Sequence, residues 1–156
     1  VMTSLRLTDE EVYRKYGDDL VRFAMGLVGR DDAADVVSEA ALRVFASPSW
    51  RGVEDQRAYL YRAVVNQAKM HHRSVARRRV RESEAARISV GAVSGPDVDV
   101  WDALGRLSLS ERAVVFLTYW EDLTEADVAE RLSVSERTVR RRLICARETL
   151  RRVLDD

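Results

Sequence analysis

The sequence predicts an all-α protein built as two small helical domains joined by a flexible linker. Three observations point there. Apolar residues recur at three- and four-residue spacing along most of the chain, the period of a helix with one buried face. No Val/Ile/Thr-rich alternating segment bounded by turns competes with that pattern. The periodicity lapses between Ser74 and Val100, first into arginines and then into Ser89-Val90-Gly91-Ala92-Val93-Ser94-Gly95-Pro96-Asp97, small residues with little to bury. The expected boundaries are 5–75 for the first domain, 76–97 for the linker and 98–156 for the second. A chain of 156 residues is long enough for two such cores.

In the first domain, Thr8 is placed to cap a helix whose first turn carries Asp9, Glu10 and Glu11, acids that favour the positive helix end. Gly29 is its stop signal. A second helix opens at Asp31 or Asp32, puts Ala33, Val36, Val37, Ala40, Ala41, Val44 and Phe45 on one stripe, and ends before Pro48. Its other face carries Asp35, Ser38, Glu39 and Arg43. A third starts near Glu54, with Tyr61, Val64, Val65 and Ala68 at helical spacing.

In the second domain, Val98, Trp101, Leu104 and Leu107 suggest a short helix, and Ser108-Leu109-Ser110-Glu111 has capping-box form ahead of the next, which runs to Trp120. Thr124 caps another helix, with Leu123 and Val128 in hydrophobic-staple positions. Leu132-Ser133-Val134 is a short turn. Ser135 then caps a last helix whose stripe is Val139, Leu143, Ala146, Leu150 and Leu154. Two helices joined by a short turn, the second rich in arginine, make a helix-turn-helix.

Charge supports a nucleic-acid partner only when it is read by segment. The chain has 26 basic and 26 acidic residues, yet none of the acids lies between Gln56 and Arg81, where Arg57, Arg62, Lys69, Arg73, Arg77, Arg78, Arg79 and Arg81 fall. A second basic block runs from Arg137 to Arg152, while Asp9 to Glu39 is crowded with acids. Such polarity offers cationic faces to phosphate and an anionic face to a basic protein. A single cysteine, Cys145, excludes an internal disulfide and suggests no redox role. No apolar run approaches the ~20 residues of a membrane span, and the expectation is a cytoplasmic protein without membrane insertion. His71 and His72 diverge as helix neighbours and lack a completing ligand set, so neither a metal nor another cofactor is expected, and no catalytic residue is assigned.

With Val139 and Leu143 facing inward, Glu136, Arg137, Arg140 and Arg141 lie on or beside the exposed side of the last helix. Its first turns are those that reach base edges in a major groove about 12 Å wide. Arg147 and Arg151, further along, suit phosphate.

These residues also carry a resemblance. Asp122-Leu123-Thr124, Val128-Ala129-Glu130, Val134-Ser135, Thr138-Val139, Arg142-Leu143 and Ala146-Arg147 resemble region 4 of bacterial sigma factors, the extracytoplasmic-function (ECF) class in particular. Asp32 to Phe45 resembles the helix of region 2 that docks on RNA polymerase, and Ala58 to Ala68 its promoter-opening helix. The resemblance implies a factor that binds core RNA polymerase and directs initiation on promoter DNA, with an anti-sigma factor as a further partner. It implies docking through Asp35, Val36, Glu39 and Leu42. It implies melting and reading of the −10 element by Trp50, Tyr59, Arg62, Asn66, Lys69 and Arg73, with Trp50 alternatively capping the local core and Tyr61 packing inward. The −35 element would be read by Ser135, Glu136, Arg137, Thr138, Arg140, Arg141 and Arg147. Ser38, Ala41, Met70, Ser133 and the three arginines 137, 140 and 141 depart from the family's usual residues; Ser38 and Ala41 bear on the detail of the polymerase contact, and the three arginines suggest a divergent promoter preference. A stand-alone helix-turn-helix regulator is the alternative, and a nuclease using His71 and His72 a second.

Overall fold

A computed structural model of the chain describes residues 6–85 and 103–155, with side chains to 82 in the first stretch. Thr8 opens α1 (Asp9–Val28), its hydroxyl accepting from the Glu11 amide at 3.3 Å. The helix ends on Gly29 at φ 91°, a conformation that costs a residue without Cβ little. Helix α2 (Ala33–Ala46) follows, then a 3-10 turn (Pro48–Gly52) and α3 (Gln56–Ala85). The start of α3 falls just after Asp55, which accepts from the Ala58 amide at 3.0 Å. Leu20, Phe23 and Leu27 of α1, Val37 of α2, and Tyr61, Val64 and Ala68 of α3 are all at most 2% exposed. Burying each large apolar side chain contributes roughly 1.5–3 kcal/mol, and together they close a three-helix bundle.

The second unit begins in the described residues with helical residues 103–105; Val98 and Trp101, expected on the same short helix, lie outside them. Ser108 and Glu111 form the complete capping box ahead of α4 (Leu109–Tyr119). Thr124 caps α5 (Glu125–Leu132) through the Asp127 amide at 3.2 Å. Leu123 packs against the core and Val128 is fully buried. The turn that follows is a Schellman motif: the Val134 amide donates to Ala129 O at 3.0 Å, the Ser133 amide to Glu130 O at 3.3 Å, and Ser133 sits at φ 54°, ψ 45°. That turn feeds α6 (Glu136–Asp155).

Two expectations change. The stretch from 76, expected to be linker, is still helix, since α3 continues to Ala85. Its arginines and alanines are good helix formers, no Gly or Pro intervenes before Gly91, and loss of the apolar stripe does not stop a helix that is already nucleated. The buried stripe of α6 stops at Leu150, which is half-buried against the core, whereas Leu154 in the last turn is 64% exposed.

The two units share one seam. Arg112 of α4 donates through Nη1 to Leu27 O at 2.8 Å, in the last turn of α1, and through Nη2 to Gly105 O and Leu107 O. His72 Nε2 donates to the same Leu27 carbonyl at 2.8 Å. Burial pulls the Arg112 guanidinium below the usual arginine range. Phe23 bridges the units, with ring centroids 4.9 Å from Tyr61 and 6.1 Å from Phe116. Arg131 of α5 lies 5.0 Å over the Tyr61 ring and donates to its hydroxyl at 3.4 Å. Burial raises the Tyr61 pKa above the usual tyrosine value, and the charge of Arg131 partly counters it. Arg22 and Glu121 approach at 3.5 Å on the rim.

Gly26 sets how closely α1 and α4 approach, because a Cβ there would stand 2.6 Å from Phe116 Cδ2. Gly26→Ala therefore costs about 1–3 kcal/mol of overpacking at the seam, against about 1 kcal/mol gained in helix propensity. Small-angle scattering of this variant is expected to show a radius of gyration above the roughly 15 Å of a compact chain of this length; an unchanged radius would disprove the spacer role. Ser133→Gly relieves the left-handed backbone and is expected to raise stability by about 1 kcal/mol, read by thermal or urea unfolding.

Candidate nucleic-acid and polymerase-binding surfaces

The start of α6 is fixed by its cap. Ser135 Oγ accepts from the Thr138 amide at 3.1 Å and lies 2.9 Å from the Thr138 hydroxyl. With Val139, Leu143 and Ala146 buried, the helix turns Glu136, Arg137, Arg140, Arg141 and Arg147 to solvent. The expected −35 residues thus share one exposed face, except that Thr138 is half-buried and, with Ser135, is engaged in capping. Two arginines are steered: Arg140 Nε donates to Glu125 Oε2 at 3.2 Å, and Arg147 Nε to the Tyr119 hydroxyl at 3.0 Å. Both contacts are exposed, so each is worth little and is readily exchanged for a stronger anion.

Between α2 and α3 the structure opens a cleft of about 340 Å³, within the size range of ligand pockets. Tyr59, Arg62 and Asn66 line one wall; Ala40, Arg43, Val44 and Ser47 line the other; Gln67 and Met70 complete it. Three expected −10 residues therefore converge on one concavity, while Lys69 and Arg73 continue along α3 outside it. Arg43, Ser47, Gln67 and Met70 were missed as site residues. The sequence signals were the placement of Arg43 on the polar face of α2 and the departure of Met70 from the family's usual residue.

Trp50 corrects the expected set. It is 2% exposed, its indole Nε1 donates to Asp9 Oδ1 at 2.8 Å, and its ring sits between Phe45 and Tyr59, at 5.6 and 5.7 Å. Arg6 stacks on it at 5.0 Å and donates to its carbonyl. The buried ring is closed to a base and packs against Tyr59, which itself lines the cleft. The polymerase-docking set needs a similar correction. Asp35, Glu39 and Leu42 are exposed on α2, Leu42 by 69%, but Val36 is 3% exposed and belongs to the core. Three residues C-terminal to Ala33, it lies on the buried stripe of the helix.

His71 Nε2 lies 3.1 Å from Asp32 Oδ2, and His72 is committed to Leu27 O. Among the described residues no group of three His, Cys, Asp or Glu is arranged to hold a metal. Cys145 is exposed on α6. No helix of the described residues is long and apolar enough to cross a membrane.

Comparison with known proteins agrees with this geometry. Residues 12–79 match the family described as sigma-70 region 2, and residues 97–150 match sigma-70, region 4. Among curated relatives, the RNA polymerase sigma-E factor of Streptomyces antibioticus is 30% identical, over 94% of this chain and 84% of its own. The ECF RNA polymerase sigma factor SigL of Mycobacterium tuberculosis is 31% identical, over 93% and 88%. Two solved structures share the fold at 22% identity. Sigma factor RpoE, in complex with the anti-sigma factor NepR from Bartonella quintana, has a TM-score of 0.64 and coverage of 94% and 96%. CnrH, in complex with the cytosolic domain of CnrY, has a TM-score of 0.59 and coverage of 94% and 87%. The chain belongs to the sigma-70 family of RNA polymerase sigma factors, in its ECF class.

Trp50→Ala is expected to cost about 3–5 kcal/mol of stability, read by chemical unfolding. A fold of undiminished stability would contradict its place in the core.

Proposed function

We propose that this ECF sigma factor binds core RNA polymerase through the exposed face of α2 (Asp35, Glu39, Leu42). It reads the −35 element with Glu136, Arg137, Arg140 and Arg141 of α6, and opens the −10 element with the α2/α3 cleft. The observation that carries this division of labour is the convergence of Tyr59, Arg62 and Asn66 on one concavity of nucleotide-accommodating size. Opening DNA costs a few kcal/mol per unstacked base, recovered when an extruded base is pocketed and its backbone held electrostatically. Asn66 supplies both a donor and an acceptor for a base edge, Tyr59 a stacking surface, and Arg62 a phosphate partner. Lys69 and Arg73 extend that charge.

The acidic α2 face suits a basic partner surface, with Leu42 as an apolar anchor. Both structural neighbours were captured with a second protein bound, in one of them an anti-sigma factor, and an anti-sigma factor is the corresponding partner here. The factor works in the cytoplasm and has no catalysis of its own, the bond-forming chemistry belonging to the polymerase. A stand-alone operator-binding regulator would leave the region 2 bundle and its cleft without a role.

Run-off transcription with core polymerase over genomic DNA tests the function directly: defined start sites are expected, and none would refute it. On a promoter mapped this way, Arg140→Ala and Arg141→Ala should each weaken discrimination at the upstream element by about 1–3 kcal/mol while leaving melting intact. Asn66→Ala should reduce permanganate reactivity at the downstream element. Normal melting by the Asn66 variant would remove it from the site.

A further inference from the structure

The two walls of the cleft are joined by the short segment between α2 and α3, and residues 6–9, which lead into α1, grip that segment from beneath. Arg6 donates through Nη1 to Val53 O at 2.6 Å and through Nη2 to Trp50 O, with its guanidinium 5.0 Å over the Trp50 ring. Leu7 O accepts from Gln56 Nε2 at 3.1 Å, and Asp9 Oδ1 accepts from Trp50 Nε1 at 2.8 Å. These contacts join residues 41 to 49 positions apart, so they fix the segment to the bundle rather than to itself. Within the 3-10 turn the Trp50 amide donates to Ser47 O at 3.2 Å and the Val53 amide to Trp50 O at 3.1 Å. Bonds of this type have poorer geometry than those of an α-helix, and they leave the placement of the turn to its surroundings.

Resting on the proposed function of the cleft, we propose that Arg6 and Asp9 are positioning residues for −10 reading, acting through Trp50 on the shape of the cleft. The Trp50 ring packs against Phe45 of α2 and Tyr59 of α3, so it stands between the two helices that carry the walls. Beside it, Ser47 Oγ and Ser49 Oγ are 2.8 Å apart and Ser49 Oγ is 3.4 Å from the Tyr59 hydroxyl; Ser47 and Tyr59 both line the cleft. Neither Arg6 nor Asp9 lines it. A site that tells one base from another must hold its contacting groups within about 0.5 Å, which requires a supporting layer behind them. Arg6 suits that layer because its planar fork reaches two carbonyls at once while its face lies on an indole, whereas a lysine offers the same charge with neither fork nor plane. Asp9 is the first residue of α1, so its carboxylate ties the turn to a helix that packs on both α2 and α3.

The test uses the full chain with core polymerase on a promoter mapped by run-off transcription, and on single-base variants of its −10 and −35 elements. The readout is the ratio of affinities for the original and the substituted promoter, which a smaller folded fraction leaves unchanged. Arg6→Lys and Asp9→Ala should each reduce discrimination at the −10 element by about fivefold or more, the lower end of what a well-placed base contact supplies. Discrimination at the −35 element should stay within about twofold of the parent, as for sites with no shared partner. Asp9→Asn keeps an oxygen acceptor for the indole and should bring −10 discrimination back to within about twofold of the parent. Undiminished −10 discrimination in Arg6→Lys or Asp9→Ala, an equal loss at both elements, or an Asp9→Asn variant that behaves like Asp9→Ala would overturn the proposal. An Arg6→Lys variant equal to the parent would instead assign Arg6 a simple charge contact. Failure of the underlying reading shows separately, as a parent protein that initiates nowhere or an Asn66→Ala variant that melts normally.

Discussion

The carbonyl of Leu27 is where the two halves of the molecule are tied together. It lies in the last turn of α1, where a helix leaves its carbonyls without internal partners, and it accepts from Arg112 of the second unit and from His72 of the first. One guanidinium thus closes the end of α1 and, through Gly105 and Leu107, anchors the segment that leads into α4. Phe23, Tyr61 and Phe116 pack beside it. The cleft and the recognition helix both hang from elements that this seam positions: α3 through Tyr61 and Arg131, and α4 through Arg112.

The charge layout follows the same frame. Acids of α2 face away from the bundle at Asp35 and Glu39, while α3 and α6 each carry an exposed cationic side. A net charge of zero therefore describes a molecule with separate anionic and cationic faces, suited to meeting a protein on one and nucleic acid on the others. Salt acts on these faces unequally. Exposed arginines along α3 and α6 are screened within about 10 Å at 0.1 M, whereas the half-buried contacts of Arg112 and Arg131 are screened much less.

Much of this was legible in the sequence, and the boundary of legibility is physical. Thr8, Ser108, Thr124 and Ser135 could be named as caps because a cap is a contact between residues three apart. The inward stripe of α6 was legible as far as Leu150 for a similar reason. Trp50 was left between two places because its orientation depends on what lies opposite, Asp9, Phe45 and Tyr59; Val36 already stood on the inward stripe of α2, and only the family resemblance put it in the docking set. Tyr59, Arg62 and Asn66 were found together since they share one helix face. The opposing wall of the cleft, Arg43 and Ser47, required knowing how α2 crosses α3. No pattern in the sequence marked the meeting of Gly26 with Phe116, ninety positions apart.

That last contact also sets how easily the arrangement can change over evolutionary time. Alanine is the smallest alteration a glycine can undergo toward a chiral residue, and their codons differ by a single base. At most helical positions the exchange passes unnoticed or is mildly favourable. At Gly26 it meets an aromatic ring, so the coupling between the promoter-opening half and the −35-reading half lies one nucleotide from being loosened. Neither half need lose one of its exposed arginines.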